Sequence, residues 1–294
     1  MISKMISLLN VQDFLLKAVR GETNLSPNYL ELFKNECEES LKKQMSRKEE
    51  GFRIRMSGLG RPLCQLIAER DGVEQEMDYN SLLRFLFGDI TEAIMMYVLR
   101  ESGINIVEAQ KPVSLELDGH LINGTLDVII EDELGQKKVW DIKSSSEWAF
   151  RYKYKQGYDA MKESDLFGYL MQGHLYAEAT GLLFGGWIVI NKSSGEILFV
   201  EAPEWQDEDR AYYLKEAREK IKALTDPSTK IKKYEPQFEI HKKEKTGNKL
   251  LPKECSLCSF RNHCWPDAIL YDKVTSAAKN PQKVWYTTLK KTEV

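Results

Sequence analysis

The stretch from Asn123 to Lys143, NGTLDVIIEDELGQKKVWDIK, most constrains what this chain can fold into. A β-branched, aliphatic run over 122–130 and a shorter apolar run over 138–142 flank EDELGQ, whose Gly135 and acidic residues are turn formers. The pattern reads as two β-strands joined by a tight turn. With the hairpin symmetric about Leu134, Asp127 and Asp141 fall on paired positions, each seven residues from the centre. A three-residue loop with Gly135 in the left-handed conformation supplies that register. Asp141 and Lys143 are two apart on one strand, so their side chains leave the same face.

Two carboxylates and one ammonium thus gather on a small sheet. Like charges opposite each other across a strand pair destabilise it, so such carboxylates raise each other's pKa or recruit a cation. A hard divalent cation such as Mg2+ suits oxygen ligands and keeps several waters. Lys143 would then stand beside a metal-bound water. An exposed hairpin with ordinary solvated charges is the plain alternative for any D…DxK spacing.

Gly124-Thr125-Leu126-Asp127 followed by Trp140-Asp141-Ile142-Lys143 resembles the PD-(D/E)xK nuclease signature, and more narrowly its RecB-type branch, which includes phage and CRISPR-adaptation exonucleases. The proline of the signature's name is absent. Gln172-Gly-His-Leu-Tyr176 is similar to the branch's QxxxY motif, and Glu92 in FGDITEAI stands at the position of its upstream helical His or Glu. Cys64, Cys255, Cys258 and Cys264 resemble its iron–sulfur cysteines, so the likeness spans residues 64 to 264. The resemblance implies an α/β, restriction-endonuclease-like core: a mixed central sheet flanked by helices, with N-terminal helices and a C-terminal cysteine-ligated cluster region. It implies Mg2+ or Mn2+ held by Asp127, Asp141, Glu92 and the Ile142 carbonyl. Lys143 would assist the attacking water, and Gln172 and Tyr176 would position substrate or the lysine.

Composition bounds the rest. The 294 residues are 42% hydrophobic and 30% charged, as in a globular protein rather than a disordered one. No apolar run approaches the ~20 residues of a membrane span. The N-terminal MISKMISLLNVQDF carries Asp13 and no small-residue cleavage site, so no signal peptide is expected, and the expected compartment is the cytoplasm of a cell or an infected host. A net charge of −3 argues against a general polyanion binder, although Arg151, Lys153 and Lys155 alternate with tyrosines and 230–253 is rich in lysine.

Helical periodicity covers 7–19, and Ser26-Pro27 opens a second helix running to about Lys48, with Ser26 as N-cap. Cys37, inside it, reads as a spare thiol. A Gly-rich lead then precedes a short helix holding Cys64, alone a buried apolar thiol as readily as a ligand. Asn80 is expected to cap a long helix with a buried stripe of Leu82, Leu83, Leu86, Ile90, Ile94, Tyr97 and Val98. Gly88 would leave room one turn before Glu92, or simply permit close helix packing.

Residues 104–117 read as a strand interrupted at Pro112, and the segment after Lys143 as a polar, aromatic and basic loop with helical turns that either contacts phosphates and stacks bases or is ordinary surface. A helix begins at Asp165 and ends at Gly181, with Gln172 and Tyr176 on one face and His174 pointing elsewhere. A hairpin turning at 192–195 adds two strands, and 207–225 form an amphipathic helix broken by Asp226-Pro227.

Residues 230–253 read as a mobile or extended basic arm. CSLCSFRNHCWPD carries thiols close enough to signal zinc or iron–sulfur. A 4Fe–4S cluster follows from the resemblance, and His263 could replace a cysteine in a zinc site. No reading emerges for the tail after Trp265.

These readings divide the chain into an N-terminal helical region (1–77), a nuclease core (78–225), and a basic arm with the cluster region (226–294). The expected function is metal-dependent hydrolysis of DNA from its ends, in recombination, repair or degradation, with DNA as partner and no membrane. A homo-oligomer or a helicase or recombination partner is compatible. The alternatives are a nuclease subunit active only inside a helicase–nuclease or CRISPR-adaptation assembly, and a non-catalytic iron–sulfur DNA-binding scaffold.

Overall fold

The computed structural model describes residues 2–46, 51–75, 78–163 and 165–290. In chain order the elements are helices α1 (Ile2–Val19), α2 (Pro27–Met45), α3 (Met56–Leu59), α4 (Leu63–Arg70) and α5 (Tyr79–Glu101); strands β1 (Ile106–Leu117), β2 (His120–Glu131) and β3 (Lys137–Ser145); helix α6 (Glu147–Tyr152), a 3-10 turn (Tyr154–Gln156), α7 (Tyr158–Glu163) and α8 (Tyr169–Thr180); β4 (Leu183–Asn191), β5 (Ile197–Glu201) and α9 (Asp207–Thr225); then β6 (Gln237–His241), β7 (Glu244–Leu250), α10 (Lys253–Ser256), α11 (Arg261–Cys264), β8 (Ile269–Asp272) and β9 (Lys283–Thr288). Two compact units result: Met1–Gly60 with Asp78–Ile221, and Arg61–Met77 with Lys222–Val294.

The first unit is α/β, with a mixed five-stranded sheet of order β1-β2-β3-β4-β5 flanked by helices. Only β3 and β4 run parallel, as the crossover between them through α6–α8 requires. The β2–β3 hairpin has the register expected from its sequence, Glu131↔Lys137 through Val128↔Trp140. Asp132 and Gln136 close a loop of three residues, with Gly135 at φ +76.

Strand alternation sorts side chains onto two cores. On one face Val128, Ile130, Trp140, Ile142 and Ile188 pack with Val11 of α1 and Met95, Met96 and Leu99 of α5. On the other Phe184, Trp187 and Val189 pack with Phe150, Tyr154, Tyr158, Met161 and Leu170. Asp141 and Lys143 leave β3 on this second side, toward α8.

Several sequence expectations are corrected. Pro112 does not interrupt β1; it pairs with Thr125 on an edge strand, where a missing N–H is tolerated. Asp78, not Asn80, caps α5, accepting the Ser81 N–H at 2.7 Å. In α5 Leu83 and Ile94 are exposed, while Ala93, Met95, Met96 and Leu99 are buried, because the helix is covered by α1 and α2 as well as the sheet. Ser26 is the N-cap residue of α2, but its side chain makes no cap; its N–H donates instead to Glu101 at 2.9 Å. The basic segment after Lys143 is mostly short helices, and Tyr154 is core rather than a stacking surface.

The second unit holds a four-stranded antiparallel sheet, β6-β7-β9-β8. The expected basic arm is therefore largely the β6–β7 hairpin. Lys242 and Lys243 turn it with φ +48 and +73, the two positive values of a type I′ turn. The uninterpreted tail supplies β8 and β9. Glu239 of the edge strand β6 is buried, accepting hydrogen bonds from Thr246 (3.0 Å), Asn248 (2.8 Å), Thr275 (3.1 Å) and Tyr286 (3.0 Å). Burial opposes its ionisation, yet these donors hold the carboxyl below its ordinary value. Among the described residues no helix is long and apolar enough to cross a membrane.

Candidate active site and cysteine cavity

One step beyond Val128↔Trp140 the β2–β3 ladder would pair Asp127 with Asp141. The Asp127 side chain takes over there: its Oδ2 accepts the Ile142 N–H at 2.7 Å. Asp141 is 1% exposed. Its Oδ1 accepts from Gln172 Nε2 at 3.3 Å, and its Oδ2 lies 2.7 Å from Lys143 Nζ. This last contact is an ion pair without hydrogen-bond alignment. Lys143 Nζ also lies 4.7 Å from the centre of the Tyr169 ring.

α8 faces this cluster with Tyr169, Gln172 and Tyr176, whose spacing puts them on one helical face. The helix is set by Asp165, whose carboxylate accepts the N–H groups of Gly168, Tyr169 and Leu170 at 2.7–3.0 Å. The helix expected to begin at Asp165 begins at Tyr169, with Gly168 in the N-cap position, and Asp165 holds its start from outside. Gly124 of β2 lies against Tyr176, where a Cβ would come within 2.5 Å of the ring.

Glu92 arrives from α5, its Oε1 accepting from Gln110 Nε2 at 2.5 Å. Gln110 stands opposite Asp127 in the β1–β2 register and has φ +49, while the register shift of β1 lies further toward its start, between Ile106 and Glu108. Nothing in the sequence marks Gln110, since a positive φ at a non-glycine residue leaves no compositional trace. Tyr169 was also missed, although its spacing of three and seven residues from Gln172 and Tyr176 could have found it.

Electrostatics bind these groups together. Burial, then the neighbouring Glu92 and Asp141 carboxylates, push the Asp127 carboxyl well above its ordinary range. Glu92 is raised by burial, with Lys143 and Gln110 opposing and Asp141 and Asp89 adding to the rise. For Lys143 burial favours the neutral amine, but Asp141 and Asp127 outweigh it and keep the ammonium charged. Burial and the two aspartates push the Tyr176 phenol up.

Among the described residues no three His, Cys, Asp or Glu side chains form a group ready to hold a metal ion. The carboxylates explain this for their own cluster, being turned to Lys143, Gln110 and the Ile142 N–H. The donor set still fits a hard divalent cation: oxygen ligands, buried, mutually repelling, with Asp141 Oδ2 lacking an aligned donor.

In the second unit Cys64 of α4, Cys255 of α10, Cys264 of α11 and the intervening Cys258 line one small cavity. All four thiols are free. Burial first, then the neighbouring sulfurs, push Cys64 and Cys255 up to about 11. Four soft donors around one space fit zinc or an iron–sulfur cluster in ligand type. Cys37 lies outside this unit, on α2. His263 is not among the cavity's lining residues.

No protein-family model matches the chain, and no curated protein does. Among solved structures, one described as "Crystal structure of SSO0001" is similar to this chain at 19% identity, with a TM-score of 0.40, covering 67% of this chain and 87% of that one. A likeness this slight carries no argument about fold or chemistry.

Proposed function

We propose that the chain is a divalent-metal-dependent deoxyribonuclease of the PD-(D/E)xK kind, acting as an exonuclease on DNA ends. The observation that carries this reading is the convergence of Glu92, Asp127 and Lys143, each partly buried, on the buried Asp141, with Gln172 hydrogen-bonded to Asp141. Asp127, Asp141, Glu92 and the Ile142 carbonyl would hold Mg2+ or Mn2+. When bound, the ion supplies a polarised water and neutralises the phosphate charge.

The protein's own groups do the rest. Gln172 fixes the Asp141 carboxylate, Tyr176 packs behind β2, and Lys143, kept charged by its neighbours, orients the water and stabilises the negative charge that develops on the phosphate. Water adds to phosphorus, one P–O ester bond breaks, and a phosphate monoester and a hydroxyl are released. Charge is unevenly divided: the first unit, which holds the proposed site, carries 25 Lys and Arg against 33 Asp and Glu, and the second 17 against 12. The excess positive charge of the second unit favours a polyanion. We assign its four cysteines to a 4Fe–4S cluster, with zinc the alternative.

The test is anaerobically purified protein on end-labelled linear and circular DNA, single- and double-stranded, with Mg2+, Mn2+ or EDTA, beside Lys143→Ala. Metal-dependent shortening of linear DNA by the unaltered protein, lost in the variant while DNA binding remains, is the expected result. Cleavage of circles would make it an endonuclease. Wild-type rates from Lys143→Ala would remove the assignment of the site.

A further inference from the structure

Beside the carboxylate cluster, between α2 and α5, the first unit holds a cavity of about 460 Å³, within the ~300–1,000 Å³ range of small-molecule sites. Glu92 and Gln110, which are hydrogen-bonded to each other, line the cavity and belong to the cluster, so the two adjoin. Leu32, Ala93 and Met96 give it an apolar part. Asn35 and Ser40 add neutral polar groups, and Glu36, Glu39 and Asp89 add carboxylates, against the single ammonium of Lys43.

These carboxylates differ in what they have left to offer. Asp89 Oδ2 is engaged by Gln44 Nε2 at 2.7 Å and by Lys43 at 3.1 Å. Glu39 pairs with the exposed Lys42 at 3.1 Å. Glu36 Oε1 accepts from Arg100 at 2.8 Å, but its Oε2 is shielded from solvent and accepts no hydrogen bond among the described residues.

We propose that this cavity receives the terminal nucleoside of the strand being digested, with a hydroxyl rather than a phosphate at its end. The inference rests on the nuclease reading and deepens it. With a phosphodiester at Asp127 and Asp141, the nucleoside beyond it reaches past Glu92 and Gln110 into the cavity. The apolar part takes the face of a base. The carboxylates, which only accept, take its amino groups or the sugar hydroxyl. Four carboxylates line the space, Glu36, Glu39, Asp89 and Glu92, and they outnumber the cations Arg100, Lys42 and Lys43 paired with three of them, so a terminal phosphate is disfavoured against a hydroxyl. The site thus discriminates ends by charge.

Two readouts test this. The first is the digestion rate of single-stranded oligonucleotides carrying hydroxyl or phosphate at the 5′ and 3′ ends in all four combinations. A preference of roughly tenfold or more for the hydroxyl at one end is expected. Glu39→Lys, at an exposed helix position, should narrow that preference to about twofold, and Ser40→Trp, which fills the cavity, should slow every substrate.

The second is ligand-observed NMR of deoxyadenosine and its monophosphates with the full chain in EDTA, which does not depend on cleavage. The nucleoside should bind more tightly than either monophosphate, and Ser40→Trp should abolish its signal. Cleavage without end preference, unchanged in Glu39→Lys, together with no nucleoside binding overturns the inference and leaves the nuclease reading standing. Nucleoside binding lost in Ser40→Trp, with no cleavage of any DNA, supports the cavity and removes the nuclease reading.

Discussion

Asp127 accepts the backbone N–H of Ile142 through its carboxylate at 2.7 Å, so a side chain finishes a ladder that backbone groups began. The bond fixes Asp127 beside Asp141 and Lys143 and keeps a carboxylate where burial and two neighbouring acids oppose its charge. Asn at this position can still accept the same N–H, which separates geometry from charge.

Asp127→Asn should therefore fold, and without metal it should be at least as stable as the unaltered protein at neutral pH. The sign follows from the raised pKa: the folded state holds the proton more tightly than the unfolded chain, so metal-free stability falls as pH rises above the ordinary aspartate value. The variant lacks that fall. Thermal melts across acidic to neutral pH in EDTA check it, with a difference of a few degrees for ~1 kcal/mol in a chain of this size. Added Mg2+ should stabilise the unaltered protein more than the variant, and cleavage should drop by ~10²-fold or more. A variant that melts lower in EDTA at neutral pH would show that the carboxylates do not strain this site.

Gly124 and Tyr176 form a second coupled pair. A Cβ on Gly124 would lie 2.5 Å from Tyr176 Cε1 and 3.1 Å from its hydroxyl. Gly124→Ala should cost ~1–3 kcal/mol through overpacking and should slow catalysis by moving the helical face that carries Gln172. Tyr176→Phe keeps the clashing ring and should not rescue Gly124→Ala, whereas Tyr176→Leu should restore part of the stability. A double-mutant cycle from urea unfolding reads the coupling, expected at ~0.5–3 kcal/mol; additive effects would deny the contact.

Legibility followed the reach of local chemistry. The β2–β3 register could be read because a turn centred on Leu134 with Gly135 after it leaves one pairing for strands of that length. The face shared by Gln172 and Tyr176 followed from helical spacing. Gln110 was hidden because a positive φ at a non-glycine residue is imposed by tertiary context. The stripe of α5 was misplaced because covering by α1, α2 and the sheet buries more than one face. The second sheet was missed because QFEIH exposes most of its side chains and EKTGNKL is almost wholly polar, and the charges that suggested an arm sit on strands held together by the buried Glu239.

His174 fixes the side of α8 away from the carboxylates, and it should make stability fall in mild acid. It is fully buried, 2.8 Å from the Tyr158 hydroxyl, which in turn donates to Asp209 at 3.0 Å. Its Nε2–H therefore donates to Tyr158, and its buried Nδ1 has no partner among the described residues. Burial, with Asp209 opposing and Arg210 and Lys162 assisting, lowers the imidazole from 6.5 to about 4. A depressed histidine pKa gives stability that is full above 6.5 and is lost as pH falls toward 4. The loss is at most about 3 kcal/mol. His174→Phe should flatten this part of the profile in chemical denaturation at stepped pH. An unchanged slope would mean that another group titrates there.

The cysteine cavity makes the last prediction, and its argument concerns the size of the second unit. Among its described residues the buried apolar side chains are few, chiefly Leu66, Ile67, Leu251, Phe260 and Tyr286. Units this small commonly need a staple, and four thiolates closing on a metal centre provide one by joining 61–77 to 222–294. Cys64→Ser, Cys255→Ser, Cys258→Ser and Cys264→Ser should each lose most of the bound metal and lower the melting temperature. Cys37→Ser, on α2, should do neither. Metal and acid-labile sulfide analysis of anaerobically purified protein separates the cases: iron with sulfide supports the cluster, and zinc without sulfide supports a mononuclear site. Full metal content in Cys64→Ser would mean that Cys64 lines the cavity without being a ligand. The staple would then join only residues within 255–264, leaving the attachment of 61–77 to contacts such as those Arg70 makes with the carbonyls of Asp226 and Thr229 at 2.9 and 2.8 Å.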